Sequence, residues 1–443
     1  MPDGIATVSV DPARVRVYEH GWQSWSPTAA YRLADRPFRP VSDARRVGNY
    51  RPERRAPDDA FWGEGLLAVD PGTGEGIQVF AAPSAAGPIP SIRADVSGDR
   101  VAVSADGEVT CGVGEEGEGL DSALARWADG FAAAASLGPL RPPPTAWCSW
   151  YHYFERVTQD DIEENLRAIH ELSLGVDVVQ IDDGYQAEIG DWLRLSERFA
   201  SLADIVGRIR GAGRRAGIWV APFLVGERSA LAREQPDWLV GGASPGTGWP
   251  DQQLAALDVT RPGAEQYLRE VFGTFRDLGI DYFKIDFIYA GAMEGRRAEA
   301  GVTGVDAYRR GLGIIREAIG PDAYLLGCGA PILPSVGLVD AMRVGPDIAH
   351  HVEPVDGDLS QPSQRAATQN TRWRAWQHGR FWVNDADCLV AGPHMARREA
   401  WAAVVEQFSG LRASSDRLRE LDTWGLETTR RLLRPGLTSP FVP

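Results

Sequence analysis

The chain has 443 residues, 44% of them apolar, and a formal net charge of −15. That length is too great for one small domain and suits a large barrel with an accessory domain. The acidic balance argues against a nucleic-acid partner, no apolar run approaches a membrane span, and the four scattered cysteines form neither a metal motif nor a disulfide framework. With no charged n-region and apolar h-region at the N-terminus, a cytoplasmic location is expected. Fifteen tryptophans is a high count, and several stand among polar or acidic residues, as in HGWQSWS, FWGEG, WCSWYHY, GDW and GRFWVNDAD. Flat aromatics ringed by hydrogen-bonding side chains are what sugar-binding clefts use.

Residues 1–140 read as a β-sandwich. Short alternating pieces such as ATVSV, VRVYEH, IQVFAA and VAVSAD are separated by the turn-formers PGTGEG, SADGE and EEGEG. The first helical period falls at about 120–134. HGWQSWS (20–26) is the odd stretch there, readable as a core Trp pair or as a loop folded over a neighbouring pocket. LRPPPTA (140–146) is a proline-stiffened linker.

The rhythm then changes. WCSWYHY reads as a strand with a polar, aromatic end, and 159–172 as an amphipathic helix with Asp160 and Asp161 near its first turn. VDVVQIDDG (176–184) is a buried strand, followed by a helix at 203–216 and the strand GIWVAPF (217–223). After a short helix near 229–235 comes a Gly/Pro-rich loop at 241–253. Pro262 opens a helix to Leu278. GIDYFKIDF (279–287) is a strand buried on both faces, with Lys284 and Asp286 two residues apart and so on one face. A helix at 306–318, strands at 324–329 and 341–345, a helix at 362–377, a strand at 380–385 and a helix at 396–408 follow. A short strand near 411–413 precedes a last helix at 416–433. About eight strand–helix alternations point to a (β/α)8 TIM barrel over 141–435, leaving 436–443 as a C-terminal tail.

Reactive residues of such barrels sit at the C-terminal ends of the strands. Here those ends carry Trp150 and Tyr151, Asp182 and Asp183, Lys284 and Asp286, Cys328 and Gly329, Arg343 and Asp347, Asn384, Asp385 and Asp387, and Ser415 and Asp416. Asp416 and Asp387 read as helix caps. Carboxylates at this many strand ends call for another explanation. Metal binding is disfavoured, since His350–His351 lacks metal spacing. Glycoside hydrolysis needs a carboxylate and a carboxylic acid on opposite sides of an anomeric carbon. Asp286, locked on a strand beside Lys284, suits the nucleophile. Asp347, after Gly345 and Pro346 on a loop, suits the proton donor. Asp182 and Asp183 are then acceptors for ring hydroxyls.

On HGWQSWS, WCSWYHYF, QIDDGYQ, GIWVAPF, LDVTRPGAEQYL, YFKIDF, LLGCGAP and VDAMRVGPD, the sequence resembles glycoside hydrolase family 36, the melibiase-like α-galactosidases. The resemblance implies a β-sandwich followed by a (β/α)8 barrel. It also implies hydrolysis of terminal α-galactosides with retention, no metal or other cofactor, and a small carbohydrate as the partner, with oligomeric state left open. Carried onto this chain, it implies Asp286 as nucleophile and Asp347 as acid/base, with Asp182 and Asp183 on the 4- and 6-hydroxyls. Lys284, Cys328, Gly329 and Arg343 are expected to line the pocket, the Cys–Gly pair near the 2-hydroxyl. Trp219 and Tyr289 are expected beside the sugar, Trp25 of HGWQSWS above it, and Trp62 of FWGEG as a further aromatic contact. Ile285 and Phe287 flank the nucleophile where the family commonly has Trp and Asn, which bears on sugar identity. A related axial-4-hydroxyl glycoside (a β-L-arabinopyranoside or an α-N-acetylgalactosaminide), transglycosylation, and a non-catalytic carbohydrate-binding barrel are the alternatives.

Overall fold

The computed structural model describes residues 3–40, 43–51 and 53–434; the segment assigned to a C-terminal tail lies outside them. The N-terminal region is a β-sandwich. One antiparallel sheet runs in the order Asp3–Ser9, Arg100–Ala105, Ser91–Ser97, Phe61–Glu64; the other runs Ala29–Arg32, Arg16–Glu19, Leu66–Asp70, Gln78–Ala81, Thr110–Val113. Strand alternation explains how the second sheet serves two cores. Val17, Leu67, Val69 and Phe80 point into the sandwich, against Val8, Phe61, Ile92 and Val103. Their neighbours Tyr18, Leu66, Ala68, Val79 and Ala81 point the other way, into the core shared with the rest of the chain. A sheet buried on both faces cannot shed its neighbour without exposing apolar surface. The helix Leu120–Ala134 packs there too, burying Leu120, Ala123, Leu124, Ala128 and Phe131 at helical spacing, with Phe131 edge-on to Phe381 at 5.7 Å.

Eight parallel strands follow: β1 (Thr145–Cys148), β2 (Val178–Ile181), β3 (Arg215–Val220), β4 (Ile280–Ile285), β5 (Tyr324–Gly327), β6 (Ala341–Arg343), β7 (Val383–Asp385) and β8 (Arg412–Ser414). They pair in the continuous order β7-β6-β5-β4-β3-β2-β1-β8. Main-chain bonds from Gly410 and Leu411 to Asn384, and a bridge between Leu389 and Ser414, close the ring between β7 and β8. The result is a TIM barrel whose interior holds Ala146, Val178, Tyr282, Tyr324, Leu326, Ala341 and Val383. Long helices return the chain after most strands. After β5 there is only the turn Ile332–Ser335, and at this gap the sandwich docks: Ser24 bonds Ala330 and Ile332 bonds Trp22 through the main chain.

β4 is irregular in a useful way. Its pairing with β3 slips between Ala216/Ile280 and Gly217/Tyr282, a bulge that leaves Asp281 extra. Beyond it, Phe283 and Ile285 pack in the core shared with the helices while Tyr282 faces the barrel interior, so Lys284 shares its inward phase.

Three expectations differ. The first strand stops at Cys148, and the aromatic run forms a helical turn, Trp150–Tyr153, whose Tyr151 N–H is taken by Ser415 Oγ at 2.8 Å. The stretch 241–253 holds a hairpin, Thr247–Gly248 with Gln252–Ala256, widened to three strands by Leu224–Gly226. The last helix starts only at Thr423, where the Asp422 side chain caps Gly425 N–H. Among the described residues no helix is long and apolar enough to cross a membrane.

Candidate active site

The C-terminal ends of the barrel strands open onto a cavity of about 490 Å³. Asp182, Asp183, Trp219, Lys284, Asp286, Tyr289 and Asp347 line it, along with Trp25 from the sandwich. Trp150, Glu155, Phe287, Trp249 and Gln361 complete much of the wall, and Gly48 and Asn49 reach it from the short helix Asp43–Asn49.

Asp286 follows β4 directly. Its Oδ2 accepts Trp219 Nε1–H at 3.1 Å and faces Lys284 Nζ at 3.9 Å, while Oδ1 accepts the Phe287 N–H at 2.8 Å. Trp219 stands beside Lys284 because Cα register pairs the two across β3 and β4. Phe287 adopts φ 51°, the left-handed region that bulky residues rarely enter.

Lys284 Nζ is 3.0 Å from Asp182 Oδ2, which also accepts from Gln180 Nε2 at 2.6 Å and Cys148 Sγ at 3.3 Å. Burial by itself would lower the lysine pKa. The Asp182 carboxylate, with Cys148 and Asp286 adding, outweighs it and the net shift is upward. Lys284 is thus held as a cation between two carboxylates. Asp183 accepts Gln186 Nε2–H at 2.5 Å and Trp249 Nε1–H at 2.6 Å. Burial raises its pKa to about 6 against the pull of these two donors.

Asp347 is half-buried and lines the same cavity. Enclosure raises its pKa, with Asp286 pushing the same way and Arg343 opposing. The Arg343 guanidinium is ion-paired to Asp347 on one side and to Asp387 on the other.

Some placements correct the sequence reading. Cys328 and Arg343 are not among the residues lining the cavity; both are buried, the arginine held by Asp347, Asp387 and the Gly345 carbonyl. Gly329 is also outside the lining, with φ +55°, and a Cβ there would come within 2.8 Å of the Trp25 ring. It is the residue that lets Trp25 in. Trp62 belongs to the sandwich, its Nε1 bonded to Glu64 at 2.8 Å and its N–H to Glu19 at 2.7 Å, outside the cavity lining. Asp387 and Asp416 are not helix caps. Asp416 accepts the Ala391 and Gly392 N–H groups of a loop, and Asp387 binds Arg343. Trp249 was hidden in a stretch that reads only as a loop; the Trp in TGWPDQQ was its one signal.

HGWQSWS is fixed by the barrel. Arg374, fully buried, donates to the carbonyls of Ser24, Gln23 and Ser26 and of Val344, and Asn370 Nδ2 donates to Ser26 O at 3.0 Å. Trp25 then lies edge-on to Phe287 at 4.8 Å and to Tyr289 at 6.0 Å. Among the described residues no group of three or more His, Cys, Asp or Glu is arranged to hold a metal ion.

A parallel barrel that closes its strand ends with carboxylates, a buried lysine and tryptophans is of the glycoside hydrolase class. Residues 144–313 match the melibiase family model. An α-galactosidase from Thermus thermophilus, solved in complex with p-nitrophenyl α-D-galactopyranoside, superposes with a TM-score of 0.80 at 30% identity, covering 96% of this chain and 87% of that one. The family 36 α-galactosidase AgaA of Geobacillus stearothermophilus, at 14% identity and a TM-score of 0.65, shares the fold over 96% of this chain and 61% of its own. Among curated relatives, the bifunctional α-galactosidase/sucrose kinase of Mediterraneibacter gnavus is 30% identical over 162 residues and the Escherichia coli α-galactosidase 28% over 158. Those matches cover 33% of this chain but only 17% and 22% of the relatives' own length. The chain belongs to the melibiase-like glycoside hydrolases of family 36.

Proposed function

We propose that the chain is a retaining, exo-acting α-galactosidase. The observation that carries the reading is that Asp286 and Asp347 open onto one cavity with contrasting surroundings. Asp286 is oriented by two hydrogen-bond donors and faces the Lys284 cation, while enclosure and the neighbouring Asp286 charge favour a proton on Asp347. In the first step an Asp286 oxygen bonds the anomeric carbon as Asp347 gives its proton to the leaving oxygen. In the second, Asp347 takes a proton from the water that cleaves the glycosyl-enzyme. Asp182 and Asp183 accept ring hydroxyls, Lys284 donates to one, and Trp25, Trp219 and Tyr289 wall the ring. Similarity to an α-galactosidase solved with a nitrophenyl galactoside and with stachyose supports a terminal α-galactoside as substrate. Four free cysteines are in keeping with a cytoplasmic location.

Asp286→Asn tests the reading. Turnover of p-nitrophenyl α-galactoside should vanish while the melting temperature holds; activity near the wild-type level would sink it. The anomer released first, followed by NMR, reports retention, and a panel of nitrophenyl glycosides separates galactose from arabinopyranose and N-acetylgalactosamine.

A further inference from the structure

Asp387 is 1% exposed and follows β7 with φ +113°, a conformation side chains rarely adopt. The next helix begins only at Arg398, so no helix end accounts for it. Strain at a buried charge is kept where the surroundings over-determine it, and here they do. Its Oδ2 accepts the Tyr151 hydroxyl and, at 2.9 Å, the Ile348 N–H; Oδ1 pairs with Arg343 and accepts the Cys388 N–H at 2.7 Å. Two of these bonds lead to the same place. Ile348 is the residue after Asp347, and the other arm of the Arg343 guanidinium holds the Asp347 carboxyl. Arg343 is itself pinned through Nε to Gly345 O at 3.1 Å.

We propose that Asp387 is a positioning residue for Asp347, acting through the shared guanidinium of Arg343 and the main chain of Ile348. The inference rests on Asp347 being the acid/base. Two carboxylates divide one cation. Before the glycosidic bond breaks, the Asp387 charge occupies Arg343 and leaves Asp347 able to keep its proton. As the proton passes to the leaving oxygen, Arg343 is already in place beside the new carboxylate. The charged and titratable neighbours are Arg343, Asp286, Lys284, Asp182, Tyr151 and Cys328 around Asp347, and Arg343, Asp347, Asp385, Tyr151 and Cys388 around Asp387.

Asp387→Asn removes the charge and keeps the shape. Arg343 then serves Asp347 alone, so Asp347 loses its proton more readily and the basic limb of kcat/KM moves to lower pH, by about one unit. Loss should concentrate where proton donation matters: roughly tenfold or more on methyl α-galactoside, against about twofold on p-nitrophenyl α-galactoside, whose leaving group needs little help. An equal fall on both substrates with an unmoved pH profile would mean a merely structural role and overturn the proposal. Tyr151→Phe removes one donor to Asp387 and keeps its charge, and should show the same substrate split at smaller amplitude; an unchanged ratio overturns the proposal even if Asp387→Asn does not fold. Asp347→Ala is the control. If it fails to discriminate the two leaving groups, the acid/base assignment itself has failed; if it discriminates and the Asp387 and Tyr151 variants do not, only this inference has.

Discussion

Trp219 donates its indole N–H to Asp286 Oδ2 across 3.1 Å, from a ring that is 2% exposed. A hydrogen bond to a charged acceptor in a dry site contributes about 1.5–3 kcal/mol. Trp219→Phe keeps an aromatic ring toward Trp192, 5.8 Å away, while removing the donor and part of the indole's bulk. We expect kcat for p-nitrophenyl α-galactoside to fall roughly ten- to hundredfold. A change within twofold would show that this bond does not orient the proposed nucleophile.

Asp183 carries an ionisation cost in the folded protein. Its pKa stands at about 6 in the folded protein against 3.8 for the free side chain. A raised carboxyl contributes stability that is fully present below the unfolded value and lost as pH rises through 6, so at pH 7 the ionised group costs about 3 kcal/mol. Asp183→Asn keeps one acceptor for Gln186 and Trp249 and loses the other, so its melting temperature relative to wild type should rise between pH 4 and pH 7 as the wild-type carboxyl ionises, while KM rises. Thermal melts at the two pH values decide it: a gain that does not depend on pH would rule out ionisation as the cause.

Gly329 and Trp25 make a steric prediction. At Gly329→Ala the new Cβ would sit 2.8 Å from the Trp25 ring and 3.0 Å from Phe287 N, with φ at +55°. Backbone strain of about 1 kcal/mol adds to a displaced indole. KM should increase severalfold with a modest loss in melting temperature, and an unaltered KM would mean that Trp25 does not touch the substrate.

Arg374 is a fully buried cation that joins the sandwich to the barrel. Arg374→Met would take the guanidinium donor from the Ser24 and Val344 carbonyls and leave Ser26 O with Asn370 and Gln23 O with the Ser26 N–H. Buried acceptors left unpaired cost about 1–3 kcal/mol each before relaxation. Denaturant unfolding should show a loss of about 3 kcal/mol or more, and a loss below 1 kcal/mol would indicate that water replaces the guanidinium.

The barrel and its strand-end carboxylates were legible because both follow from short-range rules. Buried parallel strands read as apolar runs, and the inward phase of Lys284 and Asp286 follows from the two-residue period. Long-range geometry was not legible. Cys328 and Arg343 sit at strand ends, yet neighbouring side chains decide that they stand outside the cavity lining. Asp387 looked like a cap because its true partners, Tyr151, Arg343 and Ile348, come from distant or differently paired segments. Trp249 reaches Asp183 from 66 positions away on a hairpin whose Gly- and Pro-rich sequence carries no period. Trp62 was misassigned by composition alone, since an aromatic beside glutamate also describes a sandwich residue tied to Glu64.

The docking of HGWQSWS at the gap after β5 has an evolutionary consequence. Trp25 comes from one domain and Asp286 from the other, so the catalytic pocket is also the seam. Cutting the barrel free of its sandwich would remove a wall of the pocket and bare the sandwich face that carries Leu66, Ala68 and Val79. The two halves of this chain are therefore not interchangeable modules, and they have to be inherited, and to diverge, together.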